Sequence, residues 1–219
     1  MRLSLKDFRT APATHFVSLG NRCATAYNLR RFYNFHSAFP FDWWITPAAG
    51  VVTFLQHPDV ENLYNPVQLE LANDGKTVHH RNLKFQLHHE FPREGTRVRA
   101  GWQNEIELPK KRTTALLTRF LGLNSPGNRI VFVREQTQMS DRIVECLDVL
   151  FSLPDYTLAA FPKVAGSHQD ASGWRGDPVL WDGVFSALGL SLDRTNHQPF
   201  SAGKSVIETD HHPNNSVQD

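Results

Sequence analysis

Phe16-Val17-Ser18-Leu19-Gly20-Asn21-Arg22-Cys23-Ala24-Thr25-Ala26-Tyr27-Asn28-Leu29-Arg30-Arg31 is the stretch on which the fold turns. Phe16, Val17 and Leu19 favour a strand, Gly20-Asn21 is a turn dipeptide that tolerates positive φ, and Ala24 to Arg31 is rich in helix formers. The stretch is therefore a strand, a tight turn and a helix, and the helix opens on Cys23. A thiol in a first helical turn faces backbone N–H groups that lack intrahelical partners and the positive end of the helix dipole. Both favour the thiolate. Cys23 is the candidate nucleophile on that ground, although a cysteine on a helix packed against a sheet is more often a small buried hydrophobe than a reagent.

Outward from this stretch, the next firm element is Arg129-Ile130-Val131-Phe132-Val133-Arg134, a continuous apolar run of the kind found in the middle of a sheet. Tyr156 to Ala160 reads as another strand. Helical spacing of apolar residues predicts helices over about 48–57, 111–123, 140–153 and 178–188, with Thr46-Pro47 as the N-cap and first position of the earliest of these. Between 78 and 91, Leu83, Phe85 and Leu87 alternate with Lys84, Gln86 and His88, which predicts a strand whose apolar face also carries His89 near its end. Residues 58–77 read as loop and short strand, and residues 92–107 as a long loop or hairpin. Strands that alternate with helices imply an α/β fold, layered, with a largely parallel sheet and helices on both faces. Sites in such sheets gather at the carboxyl ends of the strands, a rim that Cys23 and His89 would share. The expected organisation is a single α/β domain over residues 1–202 and a disordered polar tail over 203–219, with Gly166 to Gly176 as a polar loop.

The 219 residues carry a net charge of +1, with 40% hydrophobic and 21% charged residues, so neither a polyanionic partner nor wholesale disorder is implied. No nucleic-acid partner is expected. Two cysteines are too few for a disulfide framework or a cysteine-rich zinc site and suit a reducing compartment. Residues 1–14 show no apolar signal region, and no apolar run approaches the roughly 20 residues that span a bilayer. The expectation is a cytoplasmic protein with no membrane association and of open oligomeric state.

A thiol nucleophile needs a base, usually His, and often a third group that orients the imidazole. Of eleven histidines, His89 is the best placed, with Glu90 beside it. The plain alternative is that His88 and His89 are strand residues bonded to loops or water. Neighbouring strand residues point to opposite faces, so neither His79-His80 nor His88-His89 chelates one ion from one side, and no metal is expected. His211 and His212 read as solvated tail. Asp42, set in the aromatic run Phe39-Pro40-Phe41-Asp42-Trp43-Trp44, must be paired if buried; it could cap a helix, hold Arg30 or Arg31, or orient a histidine, as could Asn128 or Asp182. Arg134 could meet an anionic substrate group at the rim or close an ion pair, the more common use. Gly20-Asn21-Arg22 could offer backbone N–H groups as an oxyanion hole. The glycine spacing matches neither a dinucleotide nor a P-loop fingerprint, so no nucleotide cofactor is indicated. Cys146 reads as core.

The set Ser18-Leu19-Gly20-Asn21-Arg22-Cys23, Pro40-Phe41-Asp42-Trp43 and His89-Glu90-Phe91, with Leu29-Arg30-Arg31 and Val131 to Arg134, resembles a bacterial family named for papain-like cysteine peptidase activity and recognised by S-L-G-x-x-C, P-F-D-W and H-D-F segments. Glu90 stands where the pattern has Asp. The resemblance implies Cys23 as nucleophile and His89 as base. On the residues themselves, Asp42 is preferred to Asn128 and Asp182 as the third, orienting group, and Asn21, Arg22, Trp43 and Arg134 are the candidate substrate-binding residues. The resemblance also implies a papain-like α+β domain, the alternative to the layered parallel sheet. Three function classes follow: a cysteine peptidase acting through an acyl-enzyme; an SGNH-like esterase or acyltransferase acting on an acylated saccharide or other small molecule; and a non-catalytic binding module in which Cys23 is core.

Overall fold

The structure is a computed structural model that describes residues 1–164, 173–195 and 197–200. In chain order the helices are α1 (Leu5–Thr10), α2 (Cys23–Tyr33), α3 (Ala48–Gln56), α4 (Val60–Leu63), α5 (Glu107–Gly122), α6 (Ser140–Leu150) and α7 (Pro178–Leu188). The strands are β1 (His15–Ser18), β2 (Leu69–Ala72), β3 (Thr77–His80), β4 (Gln86–Leu87), β5 (Arg93–Glu94), β6 (Arg97–Val98), β7 (Arg129–Glu135) and β8 (Asp155–Phe161).

The core is a three-stranded sheet in the order β1-β7-β8, parallel throughout, with Phe16 opposite Val131 and Val131 opposite Thr157. Period-two alternation sorts the side chains into two layers. Val17, Ile130, Phe132 and Tyr156 face α3, α5 and α6 through Val51, Phe120, Ile143 and Leu147. Phe16, Val131, Val133 and Phe161 face α1, α2 and α7 through Phe8, Leu29, Tyr33, Trp181 and Phe185. Burial on both faces is why Ile130 to Val133 is apolar without interruption. The fold is α/β with helices on both faces of a parallel sheet; the parallel pairing excludes the papain-like α+β alternative for this layer.

The expected strand over 78–91 is a correction. Residues 77–87 form a hairpin, β3 and β4, joined antiparallel to β2 in a separate sheet. Lys84 at φ 57° reverses the chain, and His80 N–H donates to Phe85 O at 2.8 Å to close the turn. Leu83 and Phe85 are buried because the turn lies on α3: a Cβ on Gly50 would come within 2.0 Å of Leu83 O. The alternation recorded turn packing, and His89 follows β4 outside the parallel sheet.

The N-cap of α3 is Pro47 rather than Thr46, because the Thr46 hydroxyl is engaged elsewhere, as described below. Residues 93–98 make the hairpin β5-β6, as the Gly-containing charged stretch suggested. The expected polar loop lies outside the described residues over 165–172; Gly173–Arg175 is a short 3-10 turn. The expected tail, with His211 and His212, also lies outside them. No helix among the described residues is long and apolar enough to cross a membrane.

Candidate active site

The loop from β1 to α2 is built so that Cys23 is the first residue of the helix. Gly20 and Asn21 take φ 76° and 62°, conformations that Gly and Asn adopt most readily. A Cβ on Gly20 would meet Thr46 Oγ1 at 2.0 Å. That hydroxyl accepts from Asn21 N–H at 3.1 Å and donates to Leu19 O at 3.3 Å. Gly20 N–H donates to Ser18 Oγ at 3.1 Å. The Gly20 and Asn21 N–H groups, two of the three expected for an oxyanion hole, are thus bonded within the loop.

Two buried arginines brace this loop. Arg134, fully buried, donates to Leu19 O at 2.7 Å and to Thr46 O at 2.8 Å. Burial holds its guanidinium down at about 10. Two carbonyls, of the loop and its neighbour, thus accept from Arg134 Nη1 and Nη2, while the buried Nε has no partner among the described residues. Arg22, the residue before Cys23, makes a buried pair with Glu135 at the end of β7, Nε to Oε2 at 2.9 Å and Nη2 to Oε2 at 2.7 Å. Glu135 Oε1 also accepts from Val164 N–H at 2.8 Å, just beyond β8. The start of α2, the end of β7 and the segment after β8 are therefore tied at one carboxylate. Cys23 does lie at the carboxyl rim of the parallel sheet, as expected.

The Cys23 thiol itself is partly exposed at its surface. Burial pushes it up to about 11, against the Cys23 and Ala24 N–H groups directed at the sulfur and the nearby Arg22 charge, all of which lower it. The contributions foreseen from the helix start are present, but desolvation outweighs them, so the thiol is protonated at neutral pH.

Asp42 closes the 3-10 turn Pro40–Trp43, accepting from Phe39 N–H at 3.0 Å, and pairs with Arg30 Nη1 at 3.0 Å; both side chains are buried. Its Oδ2 is taken by Arg30 and the turn, and no histidine bonds to it among the described residues. Asp182 pairs with Arg31, and Asn128 Nδ2 donates to Leu123 O at 2.9 Å, so neither of those candidates reaches an imidazole.

His89 is held against the aromatic run by an isolated antiparallel bridge in which Ile45 and Gln86 exchange N–H to O bonds at 3.1 and 3.0 Å. Its ring meets Trp43 edge-on at 5.7 Å, Trp174 at 6.0 Å and His88 at 4.9 Å. Its Nε2 is buried and has no hydrogen-bond partner among the described residues. Burial first, then the neighbouring His88 and Arg93, lowers its pKa to about 4, so the ring is neutral at pH 7. Trp43 packs on Trp174 at 5.9 Å and lies under the Arg30 guanidinium at 5.1 Å. Trp174 in turn meets Tyr27 at 5.3 Å. Cys23, Tyr27 and Arg30 recur at helical spacing on α2, so one layer of rings connects the helix that begins with Cys23 to His89.

Tyr27 was legible as the residue one turn after Cys23. Trp174, Glu135 and Thr46 carry no local signal, since each acts from a distant element.

The model of the family described as "Putative papain-like cysteine peptidase (DUF1796)" matches residues 14–159, about two-thirds of the chain. The chain belongs to this family. The papain-like peptidase family match takes in Cys23, the Pro40–Trp43 turn, His89, β1, β7 and β8 as far as Ala159. No curated protein and no solved structure matches the chain.

Proposed function

We propose that this chain is a cysteine-dependent hydrolase in which Cys23 attacks a carbonyl carbon and His89 carries the proton. The observation that supports it most is the buried, unpartnered Nε2 of His89. Nε2 is one of nine buried side-chain atoms without a partner among the described residues, and in the tautomer with its proton on Nδ1 it presents a lone pair that can take the thiol proton. In the resting enzyme, a thiol at about 11 and an imidazole at about 4 set proton transfer uphill by on the order of 10 kcal/mol. Neither group contributes to the other's shift at rest, so the offset comes when the thiol and the imidazole are brought together on substrate binding, where each charged form stabilises the other. Attack is therefore general-base catalysis at the moment of bond formation rather than a standing thiolate–imidazolium pair.

The S–C bond forms as the thiol proton passes to His89, and the proton then goes to the leaving group as its bond to the carbonyl breaks. Water attacks the thioester and gives a proton to His89, and the C–S bond breaks as that proton passes to the departing sulfur, restoring the thiol and the neutral imidazole. The Cys23 and Ala24 N–H groups, already directed at the sulfur, stand beside the developing oxyanion. Trp43 lines the approach. Two free cysteines suit a reducing, cytoplasmic setting.

Peptides are the substrate class the family name points to. The parallel sheet, with the nucleophile directly after its first strand, favours a second reading, an SGNH-like esterase or acyltransferase acting on an acylated saccharide.

The test is intact-mass and burst analysis with p-nitrophenyl acetate, followed by matched peptide and acyl-sugar panels. A thioester on Cys23, lost in Cys23→Ala and strongly slowed in His89→Ala, is the expected result. The rate should fall only as pH approaches about 4, the value of the buried His89. A folded protein that never acylates at Cys23 would refute the hydrolase reading.

A further inference from the structure

We infer that Glu90 is the positioning residue that seats the His89 ring, through a buried carboxylate clamp on the far side of the turn; this rests on the reading of His89 as the base. Glu90 is 6% exposed and accepts from three elements at once. Trp44 Nε1 donates to Oε1 at 2.8 Å, while Tyr64 OH at 3.2 Å and Arg112 Nη2 at 2.6 Å share Oε2. Tyr64 caps α4 and is bonded onward to Thr113 of α5 at 2.8 Å.

The consequence lies in adjacency. His89 and Trp43 touch by their rings, and the very next residues, Glu90 and Trp44, are joined by a hydrogen bond. The same carboxylate thus fixes both strands of chain that carry the contacting rings, and it anchors them to α5 rather than to the parallel sheet. A charge-assisted bond to Arg112 and two neutral donors leave the side chain a single seat. Glu90 does not touch the reacting atoms. It sets where Nε2 stands relative to α2, and a small displacement there is enough to lose a proton transfer.

The experiment follows Cys23 acylation by p-nitrophenyl acetate against pH in wild type, His89→Ala and Glu90→Gln, with urea denaturation run on each. Gln keeps an acceptor for Trp44 but loses the ion pair with Arg112. In Glu90→Gln the rate should fall roughly tenfold, and the acidic limb should move from near 4 toward the ordinary imidazole value of about 6.5 as the ring leaves its buried seat. Simple destabilisation would move neither in the folded protein. If His89→Ala retains the wild-type limb, the assignment of His89 as base is wrong and the clamp falls with it. If His89→Ala abolishes the limb while Glu90→Gln keeps wild-type rate and limb, the positioning role alone is overturned. Should Glu90→Gln not fold, Arg112→Gln breaks the same pair from α5 and is held to the same two readouts.

Discussion

Replacing Arg30 by Met isolates the role of Asp42. The pair is buried, with side chains 8% and 3% exposed and Nη1 to Oδ2 at 3.0 Å. Removing one partner of such a pair costs about 3–5 kcal/mol, and the loss of the guanidinium over Trp43 at 5.1 Å adds about 0.5–1 kcal/mol. The sign of the pH dependence follows from Asp42. Burial raises its pKa above 3.8, while Arg30 is the largest contribution lowering it. The native state therefore binds this proton more readily than the unfolded chain, and the associated stability is full below 3.8 and lost as pH rises through the folded value. Without Arg30 the folded value climbs further, so Arg30→Met should be most destabilised at neutral pH and approach wild type in acid. Urea denaturation at pH 7 and at pH 4 reads this directly, with a midpoint shift of about 1–3 M at pH 7 for a slope near 2–3 kcal/mol/M. The double variant Arg30→Met/Asp42→Leu should recover most of the loss, because paired apolar residues replace a buried ion pair at little cost, and it should still acylate at Cys23. A loss below about 1 kcal/mol, or one independent of pH, would refute the reasoning. A folded double variant that no longer acylates would return Asp42 to the catalytic group.

Gly20→Ala combines a left-handed φ of 76° with a Cβ 2.0 Å from Thr46 Oγ1, so it should cost at least about 2 kcal/mol in denaturation; a neutral result would mean the loop is not held as described. His15 and His89 are both lowered to about 4, chiefly by burial. The stability they contribute is present above 6.5 and lost as pH falls toward 4. For His89 the loss approaches roughly 3 kcal/mol, and a stability-versus-pH curve for His89→Gln should be flatter over that window than the wild-type curve.

The strands β1, β7 and β8 and helices α2, α3, α6 and α7 were legible from residues 16–31 and from apolar periodicity, because a strand buried on both faces and an amphipathic helix each write their own pattern into adjacent residues. The start of α2 at Cys23 was legible for the same reason, being a matter of local turn chemistry at Gly20-Asn21. The segment 78–91 was not. Its alternation matches a strand, but only Lys84 in the left-handed region and the pressure of Gly50 on Leu83 make it a hairpin.

The partners of charged and titratable groups lay beyond sequence for a different reason. Arg22 meets Glu135, Arg134 meets the carbonyls of Leu19 and Thr46, and Glu90 meets Arg112 across separations of 22 to 115 residues, and nothing in a run of neighbours specifies such pairings. Cys23 shows the division most plainly. Its place at a helix start, with N–H groups facing the sulfur, is local and was fixed by residues 16–31. Whether that sulfur is a thiolate is decided by how much of the folded protein surrounds it, and desolvation is a property of tertiary packing alone.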